Sequence, residues 1–253
     1  MNIRIFAPAA AVLMLMVQVA GRSGEADPAK EIVTKAIKAA GGADKLGPLK
    51  AGTCKAKVNF LDGNVQFAAT IDATWQGWDQ YRFSVAADIG GMAKNLLVVI
   101  HGDKGWAKDV DRNESKEAPK EDLPMITSIL AALRMPHRLP ALLEKEIKLS
   151  PLGEIKIGDR DAVGVSVAHK GDTTISLFFD KQTLLPAKSE VRLTDSRGRE
   201  KSFEFRYEDY KETAGFKHPT KIVLKADMID VTLEVSDVKT VEKLDAGTFA
   251  APD

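Results

Sequence analysis

The chain is poor in the features that most often announce a chemistry. It has one cysteine, Cys54, which excludes an intramolecular disulfide and any multi-cysteine zinc or iron–sulfur site. Its 36 basic and 36 acidic side chains cancel, so the basic excess expected of a nucleic-acid binder is missing. Its four histidines, His101, His137, His169 and His218, are scattered and form no HxxxH or HExxH spacing. There is no GxSxG elbow and no phosphate-binding loop. Gly90-Gly91 follows Ile89 at the end of a strand, and no helix opening on Lys-Ser/Thr comes after it. Cys54 falls on the apolar face of its strand and reads as a small buried hydrophobe. No catalytic residue, metal or cofactor is therefore expected, and an extracytoplasmic hydrolase is the reading with least support. The 253 residues are 44% hydrophobic, 28% charged and only 6% aromatic. Those are proportions of a soluble globular protein, not of a collagen-like or disordered chain.

Long apolar runs are also lacking, with one exception at the start. Residues 5–19 are apolar apart from Pro8 and Gln18, follow Arg4, and precede Gly24-Glu25-Ala26. The run is shorter than the ~20 residues of a spanning helix. Residues 1–26 read as a secretory signal peptide cleaved after about Ala26. No cysteine stands at the cleavage site to carry a lipid. The expected mature unit is one domain, residues 27–253, periplasmic or secreted.

What is present is alternation. Asp27-Pro28 opens a short helix with Ile32, Val33, Ala36, Ile37 and Ala40 on one face, closed by Gly41-Gly42. From Thr53 the apolar period becomes 2. Cys54, Ala56, Val58 and Phe60 form one strand face. After the turn at Asp62-Gly63-Asn64 come Val65, Phe67, Ala69, Ile71, Ala73 and Trp75, then Tyr81, Phe83 and Val85, then the run at 96–100. The pattern returns at Val163, Val165 and Val167, and again at Ile175, Leu177 and Phe179. It continues through Ala187, Val191 and Leu193, Phe203, Phe205 and Tyr207, and ends on Ile229, Val231, Leu233 and Val235. Gly171-Asp172 and 195–198 supply turns. About ten strands with one apolar face each predict an antiparallel sheet built from consecutive hairpins.

Such a sheet must bury its apolar face. The segment between the two strand blocks offers the cover. Met125, Ile126, Ile129, Leu130, Leu133, Leu139, Leu142 and Leu143 spread over two short helices divided at Met135-Pro136, and Pro136 and Pro140 exclude one continuous rod. The pair suits a fixed plug or a movable lid. The charged stretch 109–122 before it reads as a solvated hinge or as a docking patch.

Two regions resemble the LolA-like family of outer-membrane lipoprotein-sorting carriers. One is Leu97-Val98-Val99-Ile100-His101-Gly102-Asp103-Lys104-Gly105-Trp106. The other is the C-terminal third: Leu177-Phe178-Phe179-Asp180-Lys181 with Leu184-Leu185-Pro186, then Tyr207-Glu208-Asp209-Tyr210-Lys211, Gly215-Phe216, Pro219-Thr220-Lys221-Ile222 and Phe249-Ala250-Ala251-Pro252. The resemblance implies a mainly β (α+β) fold. Its curved antiparallel sheet forms a half-open barrel, covered by the N-terminal helix and the central apolar helix pair. It also implies a periplasmic carrier of an acyl chain, lipid or lipoprotein, served by a membrane-bound donor or acceptor protein. In that family an Arg-Pro after a strand Trp helps hold the lid closed. Here Trp75 is followed by Gln76-Gly77-Trp78-Asp79-Gln80, so that feature is absent at the matching place.

A carrier of this kind needs an apolar cavity and no reactive group, because each buried methylene is worth about 0.8 kcal/mol. The expected lining is Phe67, Ile71, Trp75, Phe83 and Val85 on the sheet, with Met125, Ile129 and Leu133 on the helices. If those side chains fill one another's space instead, the domain is a non-enzymatic envelope interaction module with a filled barrel core.

Overall fold

The computed structural model describes residues 27–253 except 48–49, 63–64, 170–172, 196–197 and 228. Residues 1–26, read above as a signal peptide, and the turn residues Gly63, Asn64, Gly171, Asp172, Ser196 and Arg197 lie outside the described residues.

Helix α1 (Pro28–Ala39) begins where its sequence directs. The Asp27 carboxylate accepts from the amides of Ala29 and Lys30, and Pro28 occupies the first turn. Ala29, Val33, Ala36 and Ile37 are its buried stripe. It stops at Gly41, which adopts φ +133° and whose absent Cβ would sit 2.5 Å from the Gly215 carbonyl. Only glycine fits on both counts. A short α2 (Ala43–Leu46) follows.

Thirteen strands among the described residues form one antiparallel sheet. The first six are β1 (Ala51–Asp62), β2 (Val65–Gln76), β3 (Gln80–Ile89), β4 (Met92–His101), β5 (Lys104–Asp109) and β6 (Glu114–Glu117). The other seven are β7 (Ile147–Ile157), β8 (Arg160–His169), β9 (Thr174–Asp180), β10 (Pro186–Thr194), β11 (Glu200–Thr213), β12 (Phe216–Ala226) and β13 (Ile229–Val241). Each set is a meander, and the pairing of β1 with β13 joins the two into the order β6-β5-β4-β3-β2-β1-β13-β12-β11-β10-β9-β8-β7.

The topology places the cover. Strands β6 and β7 are consecutive in the chain but stand at opposite edges of the sheet. The segment between them must therefore cross a face. It contains α3 (Leu123–Leu133) and 3₁₀ turns at Met135–His137 and Leu139–Leu143. Its inner side, α1 and the inward side chains of β7–β12 make the main core, around Met135, Leu139, Leu142, Val165, Leu177, Phe179, Phe205 and Tyr207. A mainly β half-open barrel under an N-terminal helix and a central apolar segment is the result.

Four details differ from the sequence expectation. The strands number thirteen rather than about ten. Strand β6 comes from the charged stretch read as a solvated hinge; all four of its residues are exposed, as suits an edge strand with no face to bury. The second helix is a pair of 3₁₀ turns, because Pro136 and Pro140 each remove a backbone donor. Ala187 packs with Ile157, Ala162 and Phe178 on the outer face, not with Val191. A register shift between Pro186 and Lys188 turns it outward.

Candidate functional site

The main buried core lies over β7–β12, while over β1–β4 the inner face leaves open space. Strand pairing sets Gly52 opposite Trp75 and Trp75 opposite Tyr81. The Trp75 ring lies against Gly52, whose absent Cβ would be 2.6 Å from it. Tyr81 is fully buried, and its hydroxyl donates 2.9 Å to the Trp78 carbonyl. With Ile100 these rings make a small separate core under α3, where Ile126 and Leu130 touch it.

Beside that core is a cavity of about 320 Å³. It is twice the ~150 Å³ of an apolar hole that binds benzene, and within the range of small-molecule sites. The sheet contributes Cys54, Ala56, Ile71, Ala73, Trp75, Tyr81, Phe83, Val85, Val98, Ile100, Ile222, Leu233 and Val235; the cover contributes Ile126, Leu130, Leu133, Arg134 and His137. Five of the eight residues expected from sequence line it: Ile71, Trp75, Phe83, Val85 and Leu133. Phe67, Met125 and Ile129 do not. Phe67 stacks on Phe60 at 4.6 Å, near the β1–β2 turn. Ile129 packs into the main core, so α3 turns Ile126, Leu130 and Leu133 to the cavity instead. The helix is apolar almost all round, so periodicity carries no signal for which side faces the cavity.

Cys54 is half-buried in the lining, and burial raises its thiol pKa to about 11, Arg134 pulling weakly the other way. It stays protonated at neutral pH, unlike a nucleophilic cysteine. Among the described residues no group of three or more His, Cys, Asp or Glu is placed to hold a metal ion, and no helix is long and apolar enough to cross a membrane.

One end of the cavity is cationic. The Arg134 guanidinium stacks 4.3 Å over the Trp75 ring, and that of Arg138 stacks 4.3 Å over Trp78. Arg138 also donates to the Gly77 carbonyl and, at 3.0 Å, to the Tyr81 hydroxyl. Both arginines are buried, and among the described residues no carboxylate is within ion-pair distance of either. Loss of hydration depresses the pKa of both; Arg138 adds repulsion at Arg134, while Tyr81, Asp79 and Glu144 partly restore Arg138. His137 sits between them, its ring 5.9 Å from Trp75 and 6.2 Å from His218. Burial, then Arg134, His218 and Arg138, lower its pKa to about 3, so it is neutral. Sequence reading passed over all three residues. The signal that marks them is composition: between Asp122 and Glu144 every ionisable side chain is basic. No arginine follows Trp75 in the chain; the guanidinium over its ring comes from the segment that crosses the sheet.

The cover is tied to both halves of the sheet. The Ala132 carbonyl accepts from the hydroxyls of Ser189 on β10 and Tyr207 on β11, which contact each other at 2.6 Å. Arg138 fastens it to the β2–β3 turn.

No family model matches the chain, and no curated protein matches its sequence. Solved structures do match in shape. A LolA superfamily protein from Nitrosomonas europaea superposes with a TM-score of 0.56 at 14% identity, over 88% of this chain and 97% of the other. A DUF1329 family protein from Desulfovibrio piger gives 0.56 at 12%, over 89% and 98%. A domain described as an outer-membrane lipoprotein-sorting protein from Vibrio parahaemolyticus gives 0.53 at 13%, over 88% and 96%. The shared property is the fold, which is LolA-like and divergent in sequence.

Proposed function

We propose that the protein is a non-enzymatic carrier that holds an acyl chain, lipid or lipid-modified polypeptide in the cavity under α3. The observation that supports this reading most is the cavity itself: a space of about 320 Å³ walled almost entirely by aliphatic and aromatic side chains, beside the main core. A domain stabilised only by its core has no use for such a space, since unfilled apolar volume costs stability. The leader ending near Ala26 would deliver it to the periplasm, where lipoprotein sorting or envelope lipid transport would supply cargo and a membrane-bound donor or acceptor. The test is to express the full chain in a bacterium, purify it without detergent, and combine native mass spectrometry with lipid extraction. A bound mass of lipid or acyl size is the expected result. A clean unliganded mass, with no uptake of added lipid, would favour the interaction module with a filled core.

A further inference from the structure

The apolar cavity ends on Arg134 and His137, and these two residues also line a second, polar cleft of about 320 Å³. That cleft is bounded by Gly77 and Trp78 of the β2–β3 turn and by Arg138, with Lys50 and Glu144 exposed at its rim. Within this wall the Nε and Nη1 of Arg134, the Nε of Arg138 and both ring nitrogens of His137 are buried and have no hydrogen-bond partner. Arg134 is 9% exposed and Arg138 is 6% exposed. Two buried guanidinium groups with no carboxylate in ion-pair contact among the described residues, only the more distant Asp79 and Glu144 near Arg138, are costly. Trp75 and Trp78 offset part of that through their ring faces, but a ring face accepts no N–H in the guanidinium plane.

Resting on the carrier reading above, we propose that this wall receives the acidic headgroup, a carboxylate or phosphate oxygen set, of an amphiphile whose chain fills the apolar cavity. Such a headgroup supplies the acceptors that Arg134 lacks, and the planar fork of arginine suits both groups. The adjoining space has the complementary character, apolar along β1–β4 and α3. The cargo is then an anionic amphiphile rather than a neutral one. Neutral His137 adds one N–H donor without adding to the repulsion between the two arginines.

The test uses the full chain and displacement of an apolar fluorescent probe by dodecanoate, dodecyl phosphate and dodecanol at neutral pH, with inorganic phosphate as a separate arm. The anionic amphiphiles should displace the probe at concentrations at least tenfold below dodecanol. In Arg134→Met that preference should vanish, and Arg134→Lys should restore part of it. Without ligand, Arg134→Met should unfold at the same temperature as the wild type or higher. Equal displacement by all three chains would overturn the headgroup assignment and leave the carrier reading standing. Failure of every chain to displace the probe, or of the probe to bind, would remove the carrier reading and this inference with it. Binding of inorganic phosphate that is lost in Arg134→Met, with no preference among the chains, would replace the amphiphile with a free anion. A lower unfolding temperature in Arg134→Met would assign the guanidinium to structure and overturn the proposal.

Discussion

Arg138 lies with its guanidinium 4.3 Å over the Trp78 ring while donating to the carbonyl of Gly77, the residue before that tryptophan. One side chain thus pins the central segment to the β2–β3 turn by a stack and by hydrogen bonds. A charged hydrogen bond contributes about 1.5–3 kcal/mol and a desolvated cation–π stack up to about 2; the cost of burying the cation offsets much of this. Arg138→Met is expected to destabilise the protein by about 1–3 kcal/mol. Urea unfolding checks it, through a lower midpoint at unchanged slope. An unchanged midpoint would mean that the turn and the cover are held by other contacts.

Filling the cavity separates binding from folding. Ala73 lines it and is only half-buried, so Ala73→Leu adds three carbons to open space. Each methylene-sized group buried there is worth about 0.8 kcal/mol, and the variant should be at least as stable as the wild type. Its uptake of an apolar probe should fall at least tenfold. Leu130→Asp, which puts a carboxyl group in the same lining, should also lose uptake, whereas Phe67→Ser, outside it, should keep it. Wild-type uptake by Ala73→Leu would move the probe site elsewhere.

The architecture was legible because its determinants are local. Period-2 alternation, Asp27-Pro28 and Gly41-Gly42 are short-range patterns, and the apolar run from Leu123 to Leu143 has no other plausible place than under a one-sided sheet. The strands that escaped notice are those whose faces carry no such pattern: β6 is polar and exposed throughout, and β7 exposes most of its residues. The site was half legible for the same reason. Alternation fixes which side of β2 and β3 faces inward, so Ile71, Trp75, Phe83 and Val85 followed from it. On α3, with apolar residues nearly all round, the inward side depends on how the segment crosses the sheet, which is a tertiary property. The arginine wall depends on contacts such as that of Arg138 with Gly77, 61 positions apart. No short motif could display it.

The other end of the cover hangs on the Ala132 carbonyl, near the end of α3. Burial raises the pKa of the Tyr207 hydroxyl, Ser189 opposing weakly, so it remains a donor. Tyr207→Phe removes that donor and leaves Ser189 as the remaining one. With the acceptor still satisfied, the cost should be about 1 kcal/mol. Removing both hydroxyls, in Tyr207→Phe with Ser189→Ala, leaves a buried carbonyl unpaired, and the loss should exceed the sum of the single changes. A double-mutant cycle by urea unfolding measures this. Strict additivity would show that the two hydroxyls do not share the carbonyl.

His137, half-buried but with both ring nitrogens shielded, and the buried His218 set a pH dependence whose sign is fixed by their environment. His137 has a folded pKa of about 3, below the ordinary 6.5. His218 is also lowered, chiefly by burial, with the Pro219 carbonyl acting in the opposite direction and Lys211 adding to the fall. A group whose folded pKa is depressed takes up its proton more readily when unfolded. Its contribution is complete above the unfolded value and is lost as pH falls from about 6.5 toward the folded value. For His137 alone the loss approaches about 1.4 kcal/mol per pH unit once the pH is well below 6.5. Stability should therefore already decline between about pH 6.5 and 5, above the range in which ordinary carboxylates titrate. His137→Gln should flatten that decline, even if it lowers stability at neutral pH, because glutamine takes up no proton in either state. Urea midpoints at several pH values across this window provide the measurement. A wild-type curve that is level there would mean that the His137 ring is in contact with water, and the dry cationic end of the cavity would have to be redrawn.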